Sequence, residues 1–157
     1  MRERLKLKND FVTVENVRGI VAGLGIDEKN DIDVLSVDID RNTYWIWQAL
    51  GGLRPRVVIV EYNPWHPPHL EWVAPYDPAG VWRSNTFYGA SLKAYENLGA
   101  TLGYSLVGAS LSGVNAIFVR DDLAVDKFCR PYNAANHYEP ARLYLCGQRG
   151  YPPAFGG

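Results

Sequence analysis

Arg56-Val57-Val58-Ile59-Val60-Glu61-Tyr62 is the stretch that decides the fold, because four β-branched residues in a row end in polar ones. Such a run is typical of a strand buried on both faces of a sheet. Residues 33–40 (Asp-Val-Leu-Ser-Val-Asp-Ile-Asp) have the same character, with acids collected at the end. The two stretches therefore predict neighbouring strands whose carboxyl ends reach a polar site.

Helical periodicity surrounds these strands. Apolar spacing predicts helices over residues 14–24, 43–52 and 91–102, a short strand over 4–8, and a hairpin of strands 104–110 and 115–120. Alternating strands and helices predict an α/β fold with a mostly parallel sheet, helices on both faces and a C-terminal antiparallel hairpin. We expect one domain over residues 1–157, with an irregular tail over 130–157.

Composition excludes several classes of function. The chain has 157 residues, 47% hydrophobic and 21% charged, with a formal net charge of -1. Neither a basic nucleic-acid surface nor a membrane-spanning or membrane-anchoring segment is predicted. The two cysteines, Cys129 and Cys146, lack the spacing of a zinc site and are predicted to be inert, so we expect a cytoplasmic protein.

Polar residues follow the two central strands. Asp38 and Asp40 are two apart, as are Glu61 and Asn63, so each pair is predicted to share a face. Three interpretations stay open for these side chains: helix capping and loop structure, a general base or ligand site, and a Mg²⁺ site with oxygen ligands.

Several motifs agree in order and spacing with one known family. Residues 11–17, 33–42, 55–63, 107–108 and 114–121 carry the match. Over about residues 10–123 the chain resembles the C-terminal part of FkbM-type S-adenosylmethionine-dependent methyltransferases. The resemblance implies a truncated class I methyltransferase-like (Rossmann-like) sheet, with residues 33–40 as its fourth strand.

The same resemblance assigns the remaining strands and the site. Residues 56–63 would be the fifth strand, and 104–120 the sixth and seventh. Asp38 and Asp40 fall where such enzymes place acids near the methyl-transfer site, as catalytic residues. Asp40, Glu61 and Asn63 fall where related metal-assisted enzymes hold a divalent ion, so Mg²⁺ and S-adenosylmethionine are the implied cofactors.

The chain departs from the family in two respects. Arg41 stands where the family commonly has glycine, in a tight turn. The family's first strand and glycine-rich cofactor loop have no counterpart upstream of residue 10. Strand 33–40 is therefore expected to have an open edge, covered by segment 4–8 or by a second copy of the chain.

Loop 63–89 is long and rich in proline and aromatic residues. Asn63, Trp65 and Trp82 are candidate substrate-binding residues that suit a sugar-like ligand, although the tryptophans could instead pin the loop to itself. His66 and His69 are predicted to be surface histidines, and Ser91 a helix cap.

Two functional hypotheses follow. In the first, the chain is a dimeric, non-catalytic binding module for a small molecule. In the second, it is an S-adenosylmethionine-dependent O-methyltransferase of sugar-like or small hydroxylated substrates, completed by a partner chain.

Overall fold

A computed structural model describes residues 5–146. The helices are α1 (Val17–Gly23), α2 (Thr43–Ala49), α3 (Leu92–Leu102), α4 (Asp121–Ala124) and α5 (Ala134–His137). The strands are β1 (Val34–Val37), β2 (Val57–Glu61), β3 (Tyr104–Ala109) and β4 (Asn115–Arg120), with 3-10 turns at Asp40–Asn42 and Leu143–Cys146. The α/β class is confirmed, and several elements are shorter than predicted.

The sheet is open and mixed, with the strand order β1-β2-β4-β3. β1 pairs with β2 in parallel, whereas β4 is antiparallel to both β2 and β3. The C-terminal antiparallel hairpin is therefore confirmed. The mostly parallel sheet is not confirmed, because β4 lies between β2 and β3 and runs antiparallel to both. In the described sheet the one parallel pair is β1 with β2.

The core lies on one face of the sheet. α2 and α3 pack there through Trp47, which contacts Tyr95 and Phe118 with ring centroids 6.1 and 4.8 Å apart. Val58 and Val60 of β2 point into this core, while Val57 and Ile59 are only half-buried. A helix layer on both faces is therefore not confirmed over residues 5–146.

Helix α3 is fixed at both ends by its sequence. Ser91 Oγ accepts a hydrogen bond from the Ala94 amide at 3.2 Å, which confirms the predicted cap. Gly103 ends the helix with a left-handed φ of 82°. Within α3, a Cβ on Gly99 would lie 2.8 Å from the Phe118 ring, so the helix packs tightly on the sheet.

Residues 5–8 are not a strand, contrary to the prediction. They run beside the end of α1, where Lys6 Nζ donates to the Leu24 carbonyl at 2.6 Å. No described residue pairs with the side of β1 turned away from β2, which we call the β1 edge. The alternation of apolar residues alone did not produce a strand here, because the segment lies beside α1 and not beside a strand with which it could form a ladder.

The chain after β4 packs back on the hairpin turn. Gly113 has a φ of 75°, and a Cβ there would lie 2.1 Å from the Pro140 carbonyl. Arg142 N donates to the Ser112 carbonyl at 2.8 Å. The predicted irregular tail thus contains α5 and a 3-10 turn up to residue 146; the remainder of the tail and the Cys146 side chain lie outside the described residues.

No helix within residues 5–146 has the length and apolar character needed to cross a membrane.

Candidate functional site

Three carboxyl groups collect where β1 and β2 end. Asp38 follows β1 directly, Asp40 begins the next 3-10 turn, and Glu61 is the last residue of β2. Because β1 and β2 are parallel neighbours, these ends lie at one edge of the sheet. We call Asp38, Asp40 and Glu61 the carboxyl cluster.

Glu61 is the most perturbed acid of the carboxyl cluster. Burial raises its pKa to about 7, and the charges of Asp38 and Asp40 add to this effect. The pKa of Asp38 is also raised, by burial and then by Asp40. Glu61 is therefore poised to gain or lose a proton near neutral pH, as a general base or acid must.

Neither Glu61 nor the nearby Tyr95 is satisfied within residues 5–146. Glu61 Oε2 and the Tyr95 hydroxyl are both buried and have no hydrogen-bond partner there. Burial raises the pKa of Tyr95, followed by the charge of Glu61. A buried polar group without a partner costs about 1–3 kcal/mol, so these two atoms are the candidate contact points of the site.

Tyr44 and Tyr95 form an aromatic wall beside the carboxyl cluster, with ring centroids 5.6 Å apart. Burial raises the pKa of Tyr44. Tyr95 is one of the apolar-spaced residues that predict the helix over residues 91–102, but periodicity does not reveal the surroundings of its hydroxyl. The available signal was a tyrosine, whose hydroxyl usually finds a partner when buried, at a core position of the helix.

The turn after β1 explains why that strand stops early. Asp40 has a left-handed φ of 59°, a conformation that non-glycine residues adopt only at some cost. Its carbonyl accepts a hydrogen bond from Thr43 Oγ1 at 3.2 Å. Asp38 and Asp40 are therefore not on a strand, contrary to the prediction of a strand over residues 33–40, and the left-handed residue of the turn is Asp40, which precedes Arg41.

The capping interpretation of this segment lacks support in the structure. Asn42 occupies the N-cap position of α2 but makes no capping side-chain bond. Its Nδ2 donates instead to the Asp77 carbonyl at 2.8 Å.

Arg41 lies on the other side of the same turn. Its guanidinium carbon is 5.7 Å from the Phe87 ring centroid, in a cation–π contact. The Nε atom is buried and has no hydrogen-bond partner in the described part of the chain. The Arg41 side chain is thus accommodated in the tight turn by stacking on Phe87 of the following loop.

Asn63 anchors the loop that covers this edge, which we call the aromatic loop (residues 63–90). Its Nδ2 donates to the carbonyls of Thr86 and Tyr88 at 2.8 and 2.9 Å. Its Oδ1 accepts from the Trp65 amide at 3.1 Å. The Asn63 side chain is fully buried, and its hydrogen bonds have a structural role in holding the loop.

The aromatic loop is held together largely by its own rings. His66 and Trp72 have ring centroids 4.4 Å apart, and Trp72 and Phe87 5.3 Å apart. Trp82 Nε1 donates to the Asn85 carbonyl at 2.7 Å. Trp65 is 58% exposed, so of the two predicted sugar-stacking tryptophans it presents the more open surface.

The residues do not form a metal centre as they are placed. No group of three or more His, Cys, Asp or Glu side chains within residues 5–146 could hold a metal ion. Asn63, the fourth predicted oxygen ligand, is engaged by the loop.

A separate cavity of about 360 Å³ lies between α1 and the residues after α2. It is lined by Val21, Ile26, Leu50 and Leu53, with Glu28 at its margin. No residue of the carboxyl cluster lines it. The carboxyl cluster is the candidate site because it contains Glu61, the acid with the raised pKa, beside the unsatisfied hydroxyl of Tyr95.

No protein-family model, curated protein or solved structure matches the chain. The interpretation of the site rests on its own geometry and electrostatics.

Proposed function

We propose that this chain is a methyltransferase-like binding module that holds a small hydroxylated ligand at the carboxyl cluster. The observation that carries the proposal is the pair of buried, unsatisfied atoms, Glu61 Oε2 and the Tyr95 hydroxyl. A ligand hydroxyl can donate to the first and accept from the second. It thereby satisfies both groups at once, and leaving each unsatisfied costs about 1–3 kcal/mol.

The surroundings favour a ligand with an apolar face beside its hydroxyl. Tyr44 and Tyr95 supply adjoining aromatic rings. The exposed Trp65 follows the same strand end by four residues. Sugar rings and phenols both combine hydroxyls with faces that stack on aromatic side chains.

The methyltransferase-like part of the proposal is supported by strand order. Counted as the resemblance implies, β1, β2, β4 and β3 are the fourth, fifth, seventh and sixth strands. Only β4 runs against the others. The predicted C-terminal hairpin places one antiparallel strand in such a sheet, so the direction of β4 agrees with the proposed kinship.

The β1 edge supports a partner. In the described residues β1 is paired on one side only. Strand edges of this kind recruit another strand. We propose that a partner chain, as in a homodimer, covers this edge and that the chain does not transfer methyl groups alone.

A second function is favoured by the pKa of Glu61. A carboxylate with a pKa of about 7 can remove a proton from a ligand hydroxyl at neutral pH. If a partner supplied the S-adenosylmethionine site, the ligand oxygen would take the methyl group as Glu61 took the hydroxyl proton, S-adenosylhomocysteine would leave, and the chain would be half of an O-methyltransferase. Asp38 and Asp40 would then hold Glu61 in its proton-accepting range.

Ligand-observed NMR with methyl glucoside and with phenol at millimolar concentration tests the binding module. We expect at least one of them to bind the wild type, and Glu61→Gln or Tyr95→Phe to weaken it about tenfold. Glu28→Gln, at the separate cavity, is the matched control. Binding that is lost in Glu28→Gln but kept in Glu61→Gln would overturn the site, as would no binding by either probe.

Calorimetry with S-adenosylmethionine and S-adenosylhomocysteine tests whether the isolated chain holds the cofactor and is therefore an enzyme on its own. The binding module predicts no heat of binding with the isolated chain. Tight binding of either compound would replace that hypothesis with the enzyme.

A further inference from the structure

The β1 edge is open, short and flanked by acids. β1 consists of Val34–Val37, and Val34 is 54% exposed. Asp33 precedes the strand, and Asp38 and Asp40 follow it. An open strand edge offers unpaired amides and carbonyls, so it is completed by an extended segment that pairs with it.

Residues 5–8 are an extended segment without such a pairing. Leu5 is 66% exposed and Leu7 is 82% exposed. The two leucines are separated by Lys6 and followed by Lys8. The segment thus has the alternation of an amphipathic strand, with leucines on one side and cations on the other.

Charge distinguishes between the candidate occupants of the β1 edge. If two copies paired β1 with β1 antiparallel, Asp33 of one copy would approach Asp38 of the other, and like charges would repel. The segment with Lys6 and Lys8 brings cations to the same acids. Charge complementarity therefore favours this basic segment over a second β1.

The segment's own chain holds it elsewhere. Lys6 Nζ donates to the carbonyl of Leu24 beyond α1, and a Cβ on Gly25 would lie 3.3 Å from that Nζ. Lys8 Nζ is 3.7 Å from Asp10. These contacts are exposed, and they leave Leu5 and Leu7 in solvent.

We propose that residues 5–8 of a second copy add a strand to the β1 edge, and that the exchange is reciprocal in a homodimer. This inference rests on the partner proposed above for that edge and names the segment that supplies it. Each pairing covers Leu5 and Leu7 beside β1 and places Lys6 and Lys8 near the flanking aspartates. Because the added strand is short, the dimer should dissociate on dilution and in high salt.

Light scattering after size-exclusion chromatography tests the exchange. We expect the wild type to reach the mass of a dimer as concentration rises, and Leu5→Asp/Leu7→Asp to keep half that mass. Leu111→Asp, at a leucine that is 69% exposed in the hairpin turn, is the matched control and should still dimerise. A double variant that remains dimeric would overturn the inference but leave the dimer standing.

A zero-length carbodiimide cross-link identifies whose segment lies on β1. Isotopically heavy and light chains are mixed, cross-linked and digested. We expect heavy–light peptides joining Lys6 or Lys8 to Asp33 or Asp38. Cross-links confined to one chain, or a wild type that is monomeric at every concentration, would overturn the exchange.

Ligand binding gives an independent readout. The double variant keeps Glu61 and Tyr95, so its binding of methyl glucoside or phenol reports on the ligand site alone. Loss of the dimer with ligand binding retained supports the exchange, and it separates this inference from the ligand proposal.

Discussion

The charge of Glu61 reaches the buried hydroxyl of Tyr95 and raises the pKa of that hydroxyl. Burial is the only larger cause of the shift. Both groups lack a hydrogen-bond partner within residues 5–146, at Oε2 in the case of Glu61. The two side chains come from different elements, β2 and α3, which the core holds in fixed positions. Their arrangement thus holds two unsatisfied polar groups in fixed positions.

Glu61→Gln should change how stability depends on pH. The folded-state pKa of Glu61 is raised from 4.5 to about 7, so in the wild type its contribution to stability falls as pH rises through this window. With partial solvent exposure allowed for, the loss is about 1–3 kcal/mol. Urea unfolding at about pH 5 and about pH 8 should show that the free energy of unfolding of Glu61→Gln rises relative to that of the wild type at the higher pH. A constant difference at both pH values would contradict the raised pKa, and Glu28→Gln serves as control.

Tyr95→Phe should not destabilise the unliganded protein. The variant removes a buried hydroxyl that has no partner, so we expect the free energy of unfolding to stay constant or rise by about 1 kcal/mol. Tyr104→Phe is the control, because its buried hydroxyl donates to the Pro55 carbonyl at 2.7 Å and its loss should cost about 1 kcal/mol. Thermal unfolding compares the two. Equal losses in both variants would mean that the Tyr95 hydroxyl has a partner.

Asn63→Ala should loosen the aromatic loop. The substitution removes three hydrogen bonds in a fully buried place, two of them to the carbonyls of Thr86 and Tyr88. We expect a loss of stability of about 2–4 kcal/mol and faster amide exchange in residues 86–90. Asn85→Ala is the comparison, because Asn85 is exposed and its side chain accepts only the Phe87 amide at 3.0 Å. Unchanged exchange in residues 86–90 of Asn63→Ala would show that other contacts hold the loop.

Gly99→Ala should destabilise the protein although alanine is the better helix former. Its Cβ would lie 2.8 Å from the Phe118 ring, so overpacking of about 1–3 kcal/mol exceeds a helix-propensity gain of about 1 kcal/mol. Gly19→Ala in α1 meets nothing within 4 Å and should be stabilising. Chemical denaturation of the two variants should therefore move in opposite directions. A stabilised Gly99→Ala would refute the close approach of α3 to the sheet.

The main helices and strands could be predicted from the sequence, whereas the strand over residues 4–8 was wrong and the order of strands in the sheet could not be predicted. The β-branched run of residues 57–60 predicts β2, because only a strand buries such residues on alternate sides. The hairpin predicts that β3 pairs with β4. It does not tell which of them lies beside β2, since that choice depends on long-range packing of Phe118 against Trp47.

The candidate site was predicted in part for a similar reason. The acids at the ends of the predicted strands identify Glu61 as a candidate. The parallel pairing of β1 with β2 places the carboxyl cluster at one edge of the sheet. Periodicity marked Tyr95 as buried, but it carries no information on whether a hydroxyl has a partner. The bonds of Asn63 could not be predicted, because Thr86 and Tyr88 lie more than twenty residues away in the chain.

Asn63 also makes the aromatic loop separable from the sheet. Its side chain ties residues 63 and 86–88 together, and its amide donates to the Ala90 carbonyl at 2.8 Å, so both ends of the loop are fastened at one place. Exposed positions between these fastened ends, such as Trp65, can be varied as a cassette, whereas Ala74 and Asp77 belong to the scaffold because their carbonyls accept hydrogen bonds from Trp45 and Asn42. Randomising positions such as Trp65, with Asn63 and Ala90 held constant, offers a direct way to redesign ligand preference on an unchanged scaffold.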